Sequence, residues 1–114
     1  MKPIIKSTLE NINNSPKLNY EKSSNSILNS IFNFFDNKSG LTEYNNNTLS
    51  YEKNNGDVYI VNRQPTIKEI WISSPVSGSN KFKMSRLEND NIGKYKFLDR
   101  KGNEIIEFLR SEIK

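Results

Sequence analysis

The amino-acid sequence predicts an α+β fold: a two-layer α/β sandwich in which two helices cover one face of a mainly antiparallel sheet of about six strands. Three observations support this prediction. Apolar residues recur at helical spacing near both ends of the chain. Between these ends, β-branched and aromatic residues form short runs that Asn, Gly and Pro interrupt. The short connections favour antiparallel pairing, because parallel neighbours need long crossovers.

Two segments precede the predicted sheet. Residues 1–19 are rich in Asn and Ser, which predicts a flexible N-terminal tail. Residues 20–114 are predicted to form the folded domain. Its first helix is expected over residues 20–38, and Ser39-Gly40 is expected to end it. The apolar stripe of this helix consists of Ile27, Leu28, Ile31, Phe32, Phe34 and Phe35.

Six strand-like runs follow the first helix. They are LTEY, TLSYE, DVYIVNRQ, IKEIWIS, KFKM and KYKFLD. Asparagine-rich turns separate the first three, and the tripeptide QPT separates the third from the fourth. SPVSGSN is predicted to be a loop, because Pro75 and Gly78 interrupt the strand pattern. A second helix is expected over residues 102–114, with a buried side formed by Ile105, Ile106, Leu109 and Ile113.

The single tryptophan is the most informative residue of the predicted sheet. In IKEIWIS, Ile70 and Ile72 fall on one face of the strand and Trp71 falls on the other. If the isoleucines meet the helices, Trp71 lies on the uncovered face, where tryptophan is a favoured interface anchor. The alternative is a structural role, half-buried against neighbouring strands. Asn62 and Gln64 are expected beside it, either as interface amides or simply as the end of a strand.

The composition excludes several classes of active site. The 114 residues include no cysteine, which excludes disulfides, thiolate metal sites and a thiol nucleophile. They include no histidine, which excludes a Ser-His-Asp triad and histidine-ligated zinc or haem. Any metal would therefore bind oxygen ligands, as hard cations prefer. The net charge of +4 weakly favours an acidic partner. No apolar run reaches the roughly 18 residues of a membrane span.

The segment DVYIVNRQPTIKEIWISSPVSGSNKF resembles the signature of the frataxin family, which includes the bacterial CyaY proteins. Because the matching positions lie within one continuous segment, the resemblance is specific. These positions are Asn62, Gln64, Ile70, Trp71, Ser73, Ser74, Pro75, Ser77 and Gly78. Both terminal helices are also similar to those of the family, so the resemblance covers residues 20–114. It implies the two-layer sandwich that the residue patterns predict independently.

The resemblance implies a role in iron–sulfur cluster assembly. Family members dock on the complex of cysteine desulfurase and scaffold protein and stimulate sulfur transfer, and they are also described as iron chaperones. Their open sheet face is the main docking surface. The implied partner-binding residues are Asn62, Gln64, Trp71, Ser74, Pro75, Gly78 and Lys81. Lys81 stands where eukaryotic members often have arginine, so the charge is kept but the planar fork that binds two acceptors is lost.

Iron binding is expected to be weak. Family members carry acids along the first helix and first strand, whereas here asparagines follow Glu21 at intervals of four residues. Amides carry no charge and hold hard cations less well than carboxylates. The implied metal ligands that remain are Glu21, Asp36, Glu43 and Asp57, interspersed with lysines. We expect them to bind Fe2+ or Fe3+ in the millimolar range or undetectably, and otherwise to form an ordinary solvated surface.

Two other function classes are compatible with the sequence. The first is a ferroxidase or iron-storage protein that uses surface carboxylates, which would require several converging acids. The second is a basic nucleic-acid-binding module with aromatic strands. GKYKFL matches the required RNA-binding motif only poorly. A non-catalytic activator is therefore preferred, with neither nucleic acid nor membrane as partner.

The resemblance also gives expectations for location and oligomeric state. Bacterial CyaY chains usually begin almost at the first helix, whereas nineteen residues precede it here, which predicts a short organelle-targeting segment. The mitochondrial matrix or a reduced mitochondrion (mitosome) is therefore expected, with the bacterial cytoplasm as the alternative. The protein is expected to be a monomer.

Overall fold

The computed structural model describes residues 16–86 and 95–113, which form two helices and one sheet. Helix α1 spans Pro16–Asp36 and helix α2 spans Ile105–Glu112. The strands are β1 (Leu41–Asn45), β2 (Thr48–Glu52), β3 (Val58–Gln64), β4 (Glu69–Ser74), β5 (Gly78–Arg86) and β6 (Tyr95–Leu98). A single turn of 3-10 helix, Pro65–Ile67, connects β3 to β4. Neither helix in these ranges is long and apolar enough to cross a membrane.

The six strands form one antiparallel sheet in the order β1-β2-β3-β4-β5-β6, which confirms the predicted arrangement. Each of these strands pairs with its neighbours along the chain. Tight turns connect β1 to β2, β2 to β3 and β4 to β5, as is usual for antiparallel neighbours. The β1–β2 turn contains only Asn46 and Asn47, since Asn45 is already paired with Thr48. Asn46 has a φ of 50°, a left-handed conformation that asparagine tolerates better than most residues.

Both helices pack on the same face of the sheet around one hydrophobic core, as predicted. The ring of Phe35 stacks on Tyr51 with 4.7 Å between centroids, and Tyr20 meets Phe97 edge to face at 6.0 Å. Aromatic pairs of this kind contribute about 0.5–1.5 kcal/mol beyond the burial of their area. The core consists of Tyr20, Leu28, Ile31, Phe35, Leu49, Tyr51, Tyr59, Val61, Ile70, Ile72, Phe82, Phe97, Ile105, Leu109 and Ile113. We call the opposite face of the sheet, which carries Trp71, the open face.

The predicted limits of the first helix were wrong at both ends. Helix α1 begins at Pro16, four residues inside the segment expected to be a tail. Proline suits the first position of a helix, because its φ is preset and no N–H is needed there. The helix ends at Asp36, so Gly40 does not terminate it. Gly40 provides space instead, since a Cβ at this position would lie 2.1 Å from the carbonyl oxygen of Glu52.

The connections around β5 and α2 also differ from the prediction. Strand β5 already begins at Gly78, whose φ of 84° suits glycine, so the loop is shorter than SPVSGSN. Helix α2 begins at Ile105 rather than at residue 102, because Asp99 closes a turn before it. The Glu104 side chain caps α2 by accepting the Glu107 N–H at 3.1 Å. The predicted targeting segment falls largely on residues 1–15, which lie outside the described residues.

Candidate docking face

The open face carries a row of polar and aromatic side chains across its central strands. Asn62 on β3 pairs with Trp71 on β4, and Trp71 pairs with Lys81 on β5. Directly paired residues project their side chains from the same face, with Cβ atoms about 5 Å apart. Ile70 and Ile72 are buried on the opposite face, as the alternation along β4 requires. We call Asn62, Trp71 and Lys81 the Trp71 row.

Two charged side chains hold the indole of Trp71. Its Nε1–H donates a 2.6 Å hydrogen bond to Oε1 of Glu69, two residues earlier on the same face. The Nζ atom of Lys81 lies 4.5 Å from the ring centroid, within the range of a cation–π contact. Trp71 is half-buried, so part of its surface is committed to these neighbours and the rest faces outward. Because the ring is already oriented, a partner would lose little entropy in ordering it.

The two amide side chains of the candidate site lie on the same face. Oδ1 of Asn62 accepts a 2.7 Å hydrogen bond from Oγ1 of Thr48 on β2, which fixes the amide beside Trp71. Gln64 lies two residues further along β3 and pairs with Glu69. The structure therefore brings Asn62, Gln64, Trp71 and Lys81 together on one surface.

A buried tyrosine of α1 supports the backbone beneath this surface. The hydroxyl of Tyr20 donates to the carbonyl oxygen of Glu69 at 2.6 Å and accepts the N–H of Gln64 at 3.0 Å. These two residues face each other across the start of β4 and the end of β3. Burial raises the pKa of Tyr20, so the hydroxyl stays protonated and can donate. Tyr20 thus ties the helix layer to the strands that present Gln64 and Trp71.

The remaining predicted contact residues, Ser74, Pro75 and Gly78, lie in and beside the turn between β4 and β5. Ser74 is 7% exposed, and its Oγ faces the helix layer, where it donates a 2.6 Å hydrogen bond to Oε1 of Glu112 on α2. The Oγ atom of Ser74 also accepts hydrogen bonds from two backbone N–H groups of the turn, both at 3.0 Å. The structure therefore does not bring the Ser74 side chain together with the Trp71 row, whereas Pro75 and Gly78 are exposed.

The carboxylate of Glu112 accepts hydrogen bonds from several hydroxyl groups at this end of the sheet. In addition to Ser74, its carboxylate accepts from the hydroxyl of Tyr59 at 2.9 Å and from the hydroxyl of Ser77. Burial, together with the hydrogen bond to Glu112, raises the pKa of Tyr59 to about 12. This network fixes the β4–β5 turn against α2.

The predicted metal-binding acids are distributed over helix α1, strand β1 and the turn before β3. They are Glu21 on α1, Asp36 at the end of α1, Glu43 on the open face of β1, and Asp57 before β3. Oε2 of Glu21 lies 3.6 Å from a guanidinium nitrogen of Arg63, so this carboxylate already faces a cation. Within the described part of the chain, no three acidic side chains come together as a metal site.

The sequence interpretation missed three residues that shape this surface: Tyr20, Arg63 and Glu69. Alternation could have placed two of them, because Arg63 lies between two open-face residues and Glu69 lies two residues before Trp71. Arg63 points to the helix side, where its guanidinium donates to Oδ1 of Asn47 at 2.7 Å and 3.0 Å and contacts Oδ1 of Asn25. It thereby joins α1, the β1–β2 turn and β3.

Comparison with known proteins agrees with this architecture. A family model described as a frataxin-like domain matches residues 13–114, which include both described helices and the whole described sheet. A curated protein named Frataxin, from Trachipleistophora hominis, is 37% identical over 79 residues. The aligned region covers 68% of this chain and 66% of that relative, so it spans just under two thirds of the relative's length. The chain belongs to the frataxin-like family.

Proposed function

We propose that this protein acts in iron–sulfur cluster assembly, where it docks through its open face on the complex of cysteine desulfurase and scaffold protein and stimulates sulfur transfer. Membership of the frataxin-like family supports the general role. The observation that carries the docking proposal is the Trp71 row. A tryptophan that two neighbours orient, with the amide of Asn62 on one side and Lys81 on the other, has the composition of an interface hot spot.

The proposal assigns the sulfur chemistry to the desulfurase and the scaffold. This chain contains no cysteine, so it has no thiol to receive persulfide sulfur, and it contains no histidine to move a proton near neutral pH. An added protein can still accelerate a reaction between two others if it binds their productive arrangement more tightly than the other arrangements. Its contribution is then a difference in binding free energy.

The chemistry of the open face fits a protein surface. Trp71 supplies the apolar anchor, while Asn62 and Gln64 supply donors and acceptors that fix the register of a partner. Further apolar area lies next to the row, since Ile60 and Val58 on β3 are 36% and 38% exposed. Removing the Trp71 side chain should therefore weaken binding by at least about 2 kcal/mol, which corresponds to roughly 30-fold in Kd.

In this proposal iron is cargo that the protein binds with low affinity. Glu21 is held by Arg63 at 3.6 Å, so a metal ion at this carboxylate would have to compete with a guanidinium. The helix surface beyond Glu21 carries the exposed amides of Asn25, Asn29 and Asn33. We propose that stimulation of sulfur transfer does not require iron bound to this protein.

For the cellular location, we propose the mitochondrial matrix or a reduced mitochondrion. The support is the source of the relative, because Trachipleistophora hominis is a microsporidian and microsporidia have reduced mitochondria. Immunolocalisation of the protein with its scaffold partner tests this proposal. Labelling of the cytosol apart from the scaffold would contradict it.

The docking proposal is tested by the affinity of the full chain for the cognate desulfurase–scaffold complex, measured by biolayer interferometry. Trp71→Ala should raise Kd by roughly 30-fold or more. Leu41→Ala is the matched control, because Leu41 is a 61% exposed apolar residue on the open face at the far edge of the sheet. The control should stay within about twofold of the unmodified protein, as exposed residues outside a hot spot do. Unchanged affinity of a folded Trp71→Ala protein would contradict the proposal.

A further inference from the structure

A groove of about 640 Å³ lies beside the Trp71 row, between the β4–β5 hairpin and the loop that joins β6 to α2. Three basic residues line it: Lys81 from β5, and Arg100 and Lys101 from the loop. The ring of Phe108 on α2 contributes apolar surface. Lys81 belongs to both the groove and the Trp71 row, so the two surfaces are continuous.

The acid that lines the groove is already occupied by its own loop. Oδ1 of Asp99 accepts the backbone N–H groups of Lys101 at 2.9 Å and Asn103 at 2.8 Å, and Oδ2 accepts the Asn103 side chain at 3.0 Å. Partial burial acts to raise the pKa of Asp99, but these hydrogen bonds outweigh it and hold the pKa below its usual value. The Asp99 charge is thus committed to the turn, while Arg100 and Lys101 are exposed.

The basic residues of the open face lie on the same side as the groove. Lys83 on β5 and Lys96 on β6 project from this face beyond Lys81. The exposed acidic residues Glu43 and Glu52 project from it on β1 and β2, at the opposite edge of the sheet. Glu69 on β4 pairs with Lys83, but it is only 8% exposed and accepts the indole N–H of Trp71. We call the side of the open face formed by β5 and β6, together with the groove, the basic side.

We propose that the basic side binds an acidic segment of the protein that docks on the Trp71 row. This inference rests on the proposed function, because it names the chemistry of the docking partner. Charge complementarity and the continuity of the groove with the row through Lys81 both favour this occupant. A nucleic acid is disfavoured, because base stacking needs an open aromatic face and the ammonium of Lys81 lies over the Trp71 ring.

The expected effect concerns the rate of association most directly. Exposed charges at the rim of an interface steer the encounter between two proteins and are screened by salt. Reversing two of these charges should slow association at least about tenfold at roughly 50 mM salt, and the difference should shrink at about 0.5 M.

The first arm of the test measures association with the desulfurase–scaffold complex for an Arg100→Glu/Lys101→Glu protein. The matched control is Lys22→Glu/Lys53→Glu, which makes the same charge change on α1 and in the β2–β3 turn. We expect association to be slowed at low salt for the groove variant only, and the difference from the unmodified protein to shrink as salt screens the charges. If both double variants associate at the same rate while Trp71→Ala abolishes binding, the inference is overturned and the proposed function stands.

The second arm does not depend on the proposed function. A fluorescent decaglutamate peptide is titrated into the full chain at low salt, and amide chemical shifts are followed by NMR. We expect shifts at Lys81, Arg100 and Lys101, and loss of peptide binding in the groove variant but not in the control. No binding, or equal binding by both variants, overturns it. Tighter binding of tripolyphosphate or oligouridylate in the groove would overturn the assignment to an acidic protein. If the peptide binds as expected but the desulfurase complex does not, the groove assignment stands and the proposed function fails.

Discussion

Tyr20→Phe removes one oxygen atom from the junction between the helix layer and the docking face. The hydroxyl joins α1 to two backbone groups, the carbonyl of Glu69 and the N–H of Gln64. Phenylalanine keeps the ring, so the edge-to-face packing on Phe97 is retained and no large cavity forms. The substitution therefore isolates the contribution of the two hydrogen bonds.

The expected loss of unfolding free energy follows from the number of hydrogen bonds removed. The two hydrogen bonds are 2.6 Å and 3.0 Å long, and each contributes about 0.5–1.5 kcal/mol net. Because the two backbone groups lose a partner in a partly buried setting, we expect a loss near the middle of the summed range, about 2 kcal/mol. With a urea m-value of about 1–2 kcal/mol/M, the urea midpoint should fall by roughly 1–2 M. The Tm should fall by roughly 8–16 °C.

Urea unfolding followed by circular dichroism measures this loss, and Tyr51→Phe provides the control. Tyr51 is 4% exposed and stacks on Phe35, and none of the hydrogen bonds found within the described ranges involves its hydroxyl. The control should lose less than about 0.5 kcal/mol. Hydrogen exchange gives a local readout, because the Gln64 amide should exchange faster in Tyr20→Phe alone. A loss below about 0.5 kcal/mol, or equal losses in both variants, would refute the reasoning.

Three further predictions concern pH, backbone space and iron. Burial and the Glu112 hydrogen bond raise the pKa of Tyr59 from 10.0 to about 12, so the stability that this group contributes is complete below pH 10 and is lost as the pH rises to about 12. Tyr59→Phe should flatten the fall of the urea midpoint across that window, and an unchanged fall would contradict this. Gly40→Ala should cost at least about 2 kcal/mol, because its Cβ would lie 2.1 Å from the Glu52 carbonyl oxygen, and a Tm equal to that of the unmodified protein would count against the packing argument. Ferrous iron titrated by calorimetry should bind in the millimolar range or undetectably, since Glu21 already faces Arg63, and low-micromolar binding would reverse this expectation.

Local patterns were sufficient to predict the sheet and the position of its tryptophan. The alternation of Ile70, Trp71 and Ile72 places the isoleucines in the core and the indole on the other face, as the structure has them. The turn that contains Asn46 follows from the preference of asparagine for positive φ. The type and order of the helices and strands can therefore be predicted from local patterns, such as alternation along a strand and asparagine in a turn.

Contacts between distant residues were not predictable in this way. Ser74 bonds to Glu112, 38 positions later, and Tyr20 bonds to Glu69, 49 positions later. Ser74 lies two residues after Ile72 on β4 and so shares its face, which indicates the helix side, but its carboxylate partner is known only once α2 is packed on the sheet. Glu69 shares the face of Trp71, yet the indole N–H and neighbouring strands bury it to 8% exposure. Such roles follow from the assembled layers.

The predicted boundaries of the first helix were wrong for a related reason. The Asn and Ser content of residues 1–19 predicts a tail, but Pro16 begins the helix, because proline is compatible with the first turn of a helix although it interrupts the interior. The pair Ser39-Gly40 predicts a helix end, but the small size of Gly40 is required by the approach of the α1–β1 connection to β2. In both cases one residue type has two physical roles, and the surrounding packing decides between them.

The most direct test of the docking function is the rate of sulfide release by the cognate desulfurase–scaffold complex without iron, with and without this protein. The unmodified chain and Leu41→Ala should stimulate the rate equally, while Trp71→Ala should stimulate it at least about tenfold less at limiting concentration, because a hot-spot tryptophan is lost. Stimulation that is the same for all three proteins, or that appears only when ferrous iron is added, would contradict activation by docking through the Trp71 row.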